Sequence, residues 1–289
     1  MQVIGFIGTG VMGNAMAEHL MDAGYSLVVF NRTAAKADNL VARGAKRAAS
    51  PAEVAQTSDI VITMVGYPAD VREVYMGDKG LIANARPNAL LIDMTTSSPT
   101  LAQEIAATAN EAGVRTLDAP VSGGDVGAKN ATLTIMAGGT KEDFECALPL
   151  FEAMGSTFTL HGGPGCGQHC KMANQINIAA TMIGMAESLA YAEKAGLNPT
   201  AVINTLSGGS SQTWSLSNYG PRVLKGDYAP GFFVKHFIKD LRIALEQAED
   251  MGLVLPGTEL AKELYERLSD EGCQDLGTQA IMKLYSGDN

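Results

Sequence analysis

A glycine-rich turn near the start of the chain constrains the fold more than any other feature. The apolar run Val3–Ile7 has the length of a buried parallel strand, and the motif Gly8–Gly13 follows it directly. The next segment, Val11–Ala23, has apolar residues at helical spacing, Gly24 ends it, and Leu27–Phe30 is a second apolar run. The order of strand, G-x-G-x-x-G turn, helix and strand predicts a βαβ unit that binds a dinucleotide.

Each glycine of this turn has its own role in that prediction. Gly8 permits the tight turn, Gly10 lets backbone amides approach a pyrophosphate, and Gly13 allows close packing of helix on strand. The N-terminus of the helix adds a positive dipole next to the phosphate. We therefore expect cofactor contacts from the turn and the first helical residues: Gly8, Gly10, Val11, Met12 and Gly13.

The end of the second strand predicts the choice of nicotinamide cofactor. An acidic residue there would accept a hydrogen bond from a ribose 2′-hydroxyl and favour NAD, but the chain has Asn31, Arg32 and Thr33. None of these repels a 2′-phosphate, Arg32 can pair with it, and Thr33 can donate to it. The alternative is that Arg32 is a solvated residue at the start of the next helix. The three residues favour NADP(H) over NAD(H).

The alternation of strands and helices continues through the first half. Buried strands are predicted at Ile60–Val65 and Ala89–Asp93, with helices at Pro51–Thr57, Ala69–Tyr75 and Pro99–Ala112. Leu117–Pro120 and Leu133–Ala137 are expected to extend the same sheet, and a helix at Glu142–Ala153 and a strand at Thr157–Leu160 to complete it. The fold class predicted is α/β, with a Rossmann-type doubly wound sheet that binds ligands at the carboxyl ends of its strands.

Two loops at those carboxyl ends are candidates for contacts with substrate or nicotinamide. The first is Asp93–Pro99, although its Ser98 hydroxyl is equally suited to capping the helix that follows. The second is Asp118–Gly124, in which Ser122 and two glycines expose a hydroxyl and several backbone amides. Such a loop can hold a carboxylate, and an ordinary glycine-rich turn is the alternative.

The β patterns stop at Gly165. The stretch Leu160–Ala195 begins with small and turn-forming residues and continues without proline, which predicts a loop and a long helix ended by Gly196 as its C′ residue. Further helices are predicted at Pro199–Leu206, Trp214–Leu224, Lys239–Met251, Pro256–Ser269 and Thr278–Tyr285. The second half is therefore expected to be all-helical.

This pattern predicts two domains. A Rossmann-type domain, residues 1–163, is expected to be joined by the long interdomain helix to an all-helical domain, residues 164–289. A cleft between two such domains is the default position for a ligand site.

Lys171 and Asn174 lie one turn apart on the predicted long helix. A partly desolvated lysine there would have its pKa lowered enough to exchange a proton near neutral pH, and Asn174 can hold a hydroxyl or carboxylate. The alternative is that Lys171 is an ordinary surface lysine. Further along, Lys239 and Asp240 are expected to open a helix after a turn at Gly231–Phe233, where the helix dipole favours an acid.

Composition excludes several other classes of function. The chain has 289 residues, of which 46% are hydrophobic and 18% charged, and a formal net charge of −10. This charge argues against binding to nucleic acid or to an anionic membrane surface, because no basic surplus neutralises phosphates. The weakly polar run Ile176–Ala190 contains Asn177, Thr181 and Glu187, and is too polar for a membrane span.

The cysteines and the start of the chain indicate the compartment. Four cysteines follow no disulfide-scaffold spacing, and no signal peptide precedes the first strand, so a cytoplasmic location is expected. Cys166 and Cys170 are spaced to share a helix face with His169 nearby. Because no second pair of ligands recurs elsewhere in the sequence, no metal site is expected.

Taken together, these motifs are similar to those of a known family. The chain resembles the β-hydroxyacid dehydrogenase family, which includes 3-hydroxyisobutyrate dehydrogenases, tartronate semialdehyde reductases and glyoxylate/succinic semialdehyde reductases. The resemblance covers essentially the whole chain. It rests on four separated segments in the same order: Gly5–Gly13, Asp118–Gly124, Gly165–Gln175 and Lys239–Leu241.

The resemblance implies roles for individual residues near a substrate. Lys171 matches the catalytic lysine, which is the general acid in carbonyl reduction and the base in alcohol oxidation. Asn174 matches the asparagine that orients the substrate. The following position, often Asn in the family, is Gln175 here and is an expected substrate contact. The loop that binds the substrate carboxylate is matched by Ser122, Gly123 and Gly124.

The resemblance also implies the reaction and the assembly. Thr96 and Lys239 match positions beside the nicotinamide, and Val65 is a further expected cofactor contact. The implied enzyme is an NADP(H)-dependent oxidoreductase that interconverts a small, carboxylate-bearing β-hydroxy acid and its semialdehyde. The implied assembly is a homodimer or homotetramer. The alternatives are an imine reductase, which lacks a lysine at position 171, and a non-catalytic relative that uses the fold as a scaffold.

Overall fold

The computed structural model describes residues 2–286 and divides into two compact units, with the division after Lys171. Every strand within residues 2–286 belongs to the first unit, and the second unit is built from helices. This organisation confirms the predicted α/β class, with a Rossmann-type sheet followed by a helical region. Within the same residues, no helix combines the length and apolar character needed to cross a membrane.

The main sheet has six parallel strands, in the order β3-β2-β1-β4-β5-β6. The strands are Val3–Ile7 (β1), Ser26–Phe30 (β2), Lys46–Arg47 (β3), Ile60–Thr63 (β4), Leu90–Asp93 (β5) and Arg115–Asp118 (β6). The chain builds outward from β1 in one direction and then, from β4, in the other. The reversal between β1 and β4 is the point at which doubly wound sheets bind ligands beyond the carboxyl ends of their strands.

Helices cover both faces of this sheet. Alternate residues of β4 belong to different buried apolar clusters, Ile60 and Ile62 to one and Val61 to the other, as expected for a strand with no solvent-facing side. The helices of the first unit are Val11–Asp22 (α1), Asp38–Ala42 (α2), Pro51–Thr57 (α3), Pro68–Met76 (α4), Leu81–Asn84 (α5), Pro99–Glu111 (α6), Gly124–Lys129 (α7) and Lys141–Met154 (α8). A 3₁₀ turn, Ala34–Ala37, precedes α2.

The last three strands form a separate sheet, so the prediction that Leu133–Ala137 and Thr157–Leu160 extend the first sheet was wrong. The second sheet contains Val121–Ser122 (β7), Leu133–Ala137 (β8) and Gly155–Leu160 (β9), with β7 antiparallel and β9 parallel to β8. Ala119 still donates to the Asp93 carbonyl at 2.7 Å, but Pro120 has no N–H to continue the ladder. The chain then folds back onto β8.

The second unit begins within a long helix. The helices are Cys166–Lys194 (α9), Pro199–Ser207 (α10), Trp214–Val223 (α11), Val234–Asp250 (α12) and Pro256–Leu268 (α13), followed by a π-helical turn, Ser269–Cys273, and a 3₁₀ helix, Thr278–Leu284. Gly196 has a φ of +74° and donates to the Glu193 carbonyl, and Leu197 donates to the Ala192 carbonyl. These bonds form a Schellman motif, which confirms Gly196 as the residue that ends the helix.

The start of α12 differs from the prediction. The helix begins at Val234, five residues before Lys239, because Val234 donates to the Leu276 carbonyl and Phe233 forms a bridge with Gly277. Lys239 and Asp240 therefore lie in the second turn of α12. The argument that the helix dipole favours Asp240 at the N-terminus was wrong, since the effect fades beyond the first turn.

Candidate active site

The glycine turn between β1 and α1 leaves no room for a side chain at two of its glycines. Gly8 has a φ of +94°, and a Cβ built on it would lie 2.1 Å from the Met64 carbonyl oxygen. A Cβ on Gly13 would lie 1.9 Å from the Gly8 carbonyl oxygen. Any side chain at either position would displace backbone, so α1 starts close against the end of β1.

Gly10 has the opposite surroundings, which suit a ligand. Apart from its two neighbours in the chain, no described residue has an atom within 4 Å of a Cβ built on Gly10, which is the N-cap of α1 and has a φ of −75°. The first helical residue, Val11, is 62% exposed, and Met12 is half-buried. The Thr9 hydroxyl is buried with no hydrogen-bond partner among residues 2–286. Open space over backbone amides at a helix N-terminus is what a pyrophosphate requires, so the turn fits a dinucleotide.

Asn31, Arg32 and Thr33 lie beside this turn, and each has a different environment. The Asn31 side chain accepts from the Thr9 N–H at 2.9 Å and donates to the Thr33 carbonyl at 2.9 Å. It therefore braces the glycine turn against the end of β2. Arg32 is exposed and donates from Nη1 to Asp70 Oδ1 at 2.9 Å, and Thr33 is exposed.

The loop after β5 is organised by a buried carboxylate. Asp93 Oδ1 accepts from the Thr63 hydroxyl at 2.8 Å and from the Thr95 N–H at 3.1 Å. Burial raises the pKa of Asp93 to about 6, although these hydrogen bonds oppose the rise. The Thr95 hydroxyl accepts from the Val65 N–H at 3.0 Å, so the ends of β4 and β5 are joined. Thr96 is half-buried in this loop, and Ser98 caps α6 by accepting from the Leu101 N–H.

A second buried carboxylate, Asp118 at the end of β6, holds the start of α9. Its Oδ1 accepts from the Gly165 N–H and its Oδ2 from the Gln168 N–H, both at 2.8 Å. Burial raises the pKa of Asp118 to about 6, and the backbone hydrogen bonds oppose the rise. The carboxylate fixes the first turn of the helix that carries Lys171, and sequence reasoning did not select it.

Gln168 is a second residue that sequence reasoning missed. Its side chain is fully buried, accepts from the Ser97 N–H at 2.9 Å and donates to the Thr95 carbonyl at 2.7 Å. The loop that contains Thr96 is thereby tied to α9 one turn before Lys171. The available signal was a glutamine at position i−3 from the lysine, on the same helix face.

Lys171 lies in the second turn of α9 and is only 6% exposed. The alternative of an ordinary surface lysine is therefore wrong. The neighbouring Cys170 is half-buried, and burial raises the pKa of its thiol. The four cysteines are unpaired, and no group of three or more potential ligands among His, Cys, Asp and Glu is close enough for a metal in the described part of the chain.

The Ser122 segment is a strand end and a helix start rather than an open loop. Ser122 is half-buried and pairs with Thr134 across β7 and β8. Gly123, with a φ of +131°, is the N-cap of α7, and Gly124, with a φ of +62°, is its first residue. Both glycines adopt the left-handed region that side chains disfavour, which turns the chain from strand to helix.

In the second unit, a buried hydrogen-bonded chain joins α9 to α12. Asn174 Nδ2 donates to Gln175 Oε1 at 2.7 Å, and Gln175 Nε2 donates to Asp240 Oδ2 at 2.6 Å. Lys239 Nζ lies 3.0 Å from Asp240 Oδ1. Gln175 and Asp240 are each 1% exposed. Asp240 thus brings together three predicted site residues, Asn174, Gln175 and Lys239. No site role was predicted for Asp240 itself; the sequence feature that could have indicated one is an acid among apolar neighbours in an amphipathic helix.

Comparison with known proteins gives two matching family models. Residues 3–163 match the model described as the NAD-binding domain of 6-phosphogluconate dehydrogenase. Residues 165–285 match the model described as the NAD-binding region of NADP-dependent 3-hydroxyisobutyrate dehydrogenase. The first match alone covers more than half of the chain.

Relatives match over nearly the full length. A probable mitochondrial 3-hydroxyisobutyrate dehydrogenase-like protein of Arabidopsis thaliana is 50% identical, with 96% of this chain and 84% of the relative covered. The 2-hydroxy-3-oxopropionate reductase of Escherichia coli is 39% identical, with 97% and 96% covered. A solved structure of Mycobacterium tuberculosis 3-hydroxyisobutyrate dehydrogenase with L-serine has a TM-score of 0.91 at 32% identity, with 99% and 100% covered.

Proposed function

The chain belongs to the β-hydroxyacid dehydrogenase family of oxidoreductases, and from that premise we propose that it interconverts a small β-hydroxy acid and the corresponding semialdehyde with NADP(H). The candidate substrates are the 3-hydroxyisobutyrate, tartronate semialdehyde, glyoxylate and succinic semialdehyde classes. The names of the similar proteins, 3-hydroxyisobutyrate dehydrogenase and 2-hydroxy-3-oxopropionate reductase, support this choice.

The observation that carries the proposal is the buried position of Lys171. This lysine is 6% exposed, and the turn before it is held by Asp118 and by the fully buried Gln168. A lysine on a surface helix needs no such support. A lysine that exchanges a proton with a substrate needs a fixed position, because proton transfer requires hydrogen-bond distance.

In the proposed mechanism NADP(H), when bound, supplies or accepts the hydride. Lys171 donates a proton to the developing alkoxide during reduction and removes it during oxidation, and its charge stabilises the alkoxide. Asn174 orients the reacting hydroxyl. Gln175 is hydrogen-bonded to both Asn174 and Asp240 and holds the Asn174 side chain in place. The substrate carboxylate is assigned to Ser122, Gly123 and Gly124, where left-handed glycines open a short helix.

The preference for NADP(H) rests on the end of β2. Arg32 is exposed and carries the donors that pair with a 2′-phosphate, while the Asn31 amide is engaged in bracing the turn. Thr33 adds an exposed hydroxyl. The remaining cofactor contacts are assigned to Gly8, Gly10, Val11, Met12, Gly13, Val65, Thr96 and Lys239.

The organisation of the molecule is part of the same proposal. The two family matches, which end at residue 163 and begin at residue 165, support a boundary between a cofactor domain, 1–163, and a helical domain, 164–289. We assign the active form as a homodimer or homotetramer. The four unpaired cysteines support a reducing compartment, which we assign as the cytoplasm.

The test of this function is the Lys171→Ala variant. Oxidation of NADPH is measured with glyoxylate, succinic semialdehyde, tartronate semialdehyde and methylmalonate semialdehyde. We expect at least one to be reduced by the wild-type protein, and the variant to lose about 10²- to 10⁴-fold in kcat because the general acid is removed.

The matched control is Lys194→Ala, which removes an exposed lysine from the last turn of the same helix. Its kcat should stay within about twofold of the wild type, since surface substitutions are usually neutral. Activity of Lys171→Ala within about tenfold of the wild type would contradict the mechanism. Equal kcat/KM values with NADPH and NADH would contradict the cofactor preference.

A further inference from the structure

A carboxylate lies against the guanidinium assigned to the 2′-phosphate. Among residues 2–286, Arg32 is bonded through Nη1 to Asp70 Oδ1 at 2.9 Å. The Arg32 side chain is 86% exposed, whereas that of Asp70 is 24% exposed. The acid is therefore the more firmly placed partner, and the arginine reaches toward it from the end of β2.

The origin of this carboxylate explains why the sequence did not reveal it. NAD-selective sites carry an acid at the end of β2, and this chain has Asn31 there instead. Asp70 comes from the first turn of α4, which follows β4. Because β2, β1 and β4 are adjacent and parallel, their carboxyl ends lie at the same edge of the sheet. The fold therefore places an acid beside the end of β2, although the sequence at the end of β2 contains none.

The bond between the two side chains is of a kind that a phosphate can compete with. Arg72 and Glu104 form a two-bond pair in this unit, with contacts of 2.6 and 2.5 Å, but Arg32 and Asp70 share a single bond. An exposed single-bond pair orients an arginine weakly. Its carboxylate charge, however, acts on any other anion held by the same guanidinium.

We propose that Asp70 is a specificity-determining residue that limits the preference for NADP(H), by holding its carboxylate against the arginine that binds the 2′-phosphate. The proposal rests on the assignment of Arg32 to that phosphate under the proposed function. A phosphate dianion about 6 Å from a carboxylate in water is repelled enough to weaken binding about three- to tenfold, depending on salt. The ion pair also orients Arg32, but this favourable effect is weaker than the repulsion between Asp70 and the phosphate. The net effect of Asp70 is therefore to weaken the binding of NADPH.

The test measures dissociation constants for NADPH and NADH by nucleotide fluorescence on titration, without substrate. Asp70→Asn keeps the shape and removes the charge. We expect its dissociation constant for NADPH to fall about three- to tenfold at low ionic strength, and that for NADH to change less than about twofold. The gain should shrink in high salt, because screening already weakens the repulsion in the wild type.

The matched control is Asp22→Asn. Asp22 is an exposed acid in a single-bond pair with Arg43, at the opposite end of α1 from the glycine turn. This variant makes the same change in net charge, so a purely long-range effect would appear in both variants. We expect the control to leave both dissociation constants within about twofold of the wild type.

Arg32→Ala separates this proposal from the function on which it rests. If Arg32→Ala leaves the ratio of NADPH to NADH affinity unchanged, the phosphate assignment fails and the role of Asp70 fails with it. If Arg32→Ala lowers that ratio but Asp70→Asn leaves it unchanged or lowers it, only the role of Asp70 is overturned. Absence of turnover with every tested aldehyde would reject the proposed reaction and leave these binding results standing.

Discussion

Asp93 and Asp118 are similar in burial and in strand position, but they accept hydrogen bonds from different parts of the chain. They stand opposite one another in the register of β5 and β6, they are 6% and 5% exposed, and burial raises the pKa of each to about 6. Asp93 Oδ1 receives hydrogen bonds from the Thr63 hydroxyl and the Thr95 N–H. Asp118 receives one on each oxygen, from Gly165 and Gln168, which lie 47 and 50 residues further along the chain.

The difference teaches that burial and strand position do not determine what a carboxylate does. Asp93 accepts hydrogen bonds from its own loop and from a neighbouring strand, so it stabilises only the ends of β4 and β5. Asp118 binds backbone amides at the start of α9, and an amide N–H can only donate. Asp118 therefore needs two acceptor atoms in fixed positions, and through them it sets where the helix carrying Lys171 begins.

The largest expected effect is that of Asp118→Asn. An asparagine presents one oxygen and one NH₂ group, so one of the two amides would face a donor. Leaving buried donors unpaired costs about 1–3 kcal/mol each, and we expect about 4 kcal/mol lower free energy of unfolding in urea at pH 7. A displaced start of α9 should also lower kcat at least about tenfold, because catalytic groups tolerate little displacement.

Asp93→Asn is the matched variant for that experiment. Its single oxygen can accept from both Thr63 and Thr95, since both bonds already use Oδ1. The new NH₂ group adds a buried donor, but neither the Thr63 hydroxyl nor the Thr95 N–H loses its acceptor. We therefore expect its free energy of unfolding at pH 7 to fall by about 1–3 kcal/mol, less than that of Asp118→Asn. Equal losses in the two variants would remove the distinction between the two carboxylates.

The next effect is a pH dependence of stability. The pKa of Asp93 rises from 3.8 to about 6 on folding because burial disfavours the charged form. The folded state then binds more protons than the unfolded state between these values, so this group's contribution to stability falls as the pH rises from about 4 to about 6. Two pKa units correspond to about 3 kcal/mol.

The measurement is the difference in free energy of unfolding between the wild type and Asp93→Asn from pH 4 to pH 7. Because the variant has no proton to exchange at this site, the difference should change by about 2.4 kcal/mol in favour of the variant as the pH rises over this range. A constant difference across this range would show that the Asp93 carboxyl has the same pKa in both states.

Features set by neighbouring residues could be predicted from the sequence. The Gly8–Gly13 turn follows from a strand and a helix that flank it directly, and the end of α9 follows from one glycine, Gly196. The position of Lys171 in the second turn of a long helix follows from a proline-free stretch after a glycine-rich one. In each case the interactions that decide the structure lie within a few residues.

Features set by partners distant in the chain could not be predicted. The start of α12 depends on a bond from Val234 to Leu276, and the second sheet depends on where Pro120 ends a ladder. The role of Gln168 depends on Thr95 and Ser97, 73 and 71 residues away. The position of Asp70 could not be predicted either, because only the order of the strands in the sheet brings α4 beside the end of β2.

The smallest of the expected effects comes from the crowding around Asp118 and uses two glycines. A Cβ on Gly167 would lie 2.4 Å from the Met136 carbonyl oxygen and 2.6 Å from that of Asp118, whereas nothing lies within 4 Å of a Cβ on Gly163. Gly167→Ala must push the first turn of α9 away from Asp118, and we expect about 2 kcal/mol lower free energy of unfolding. Gly163→Ala should change it by less than about 0.5 kcal/mol. If urea unfolding finds the two variants alike, the close approach of α9 to Asp118 is not what positions Lys171.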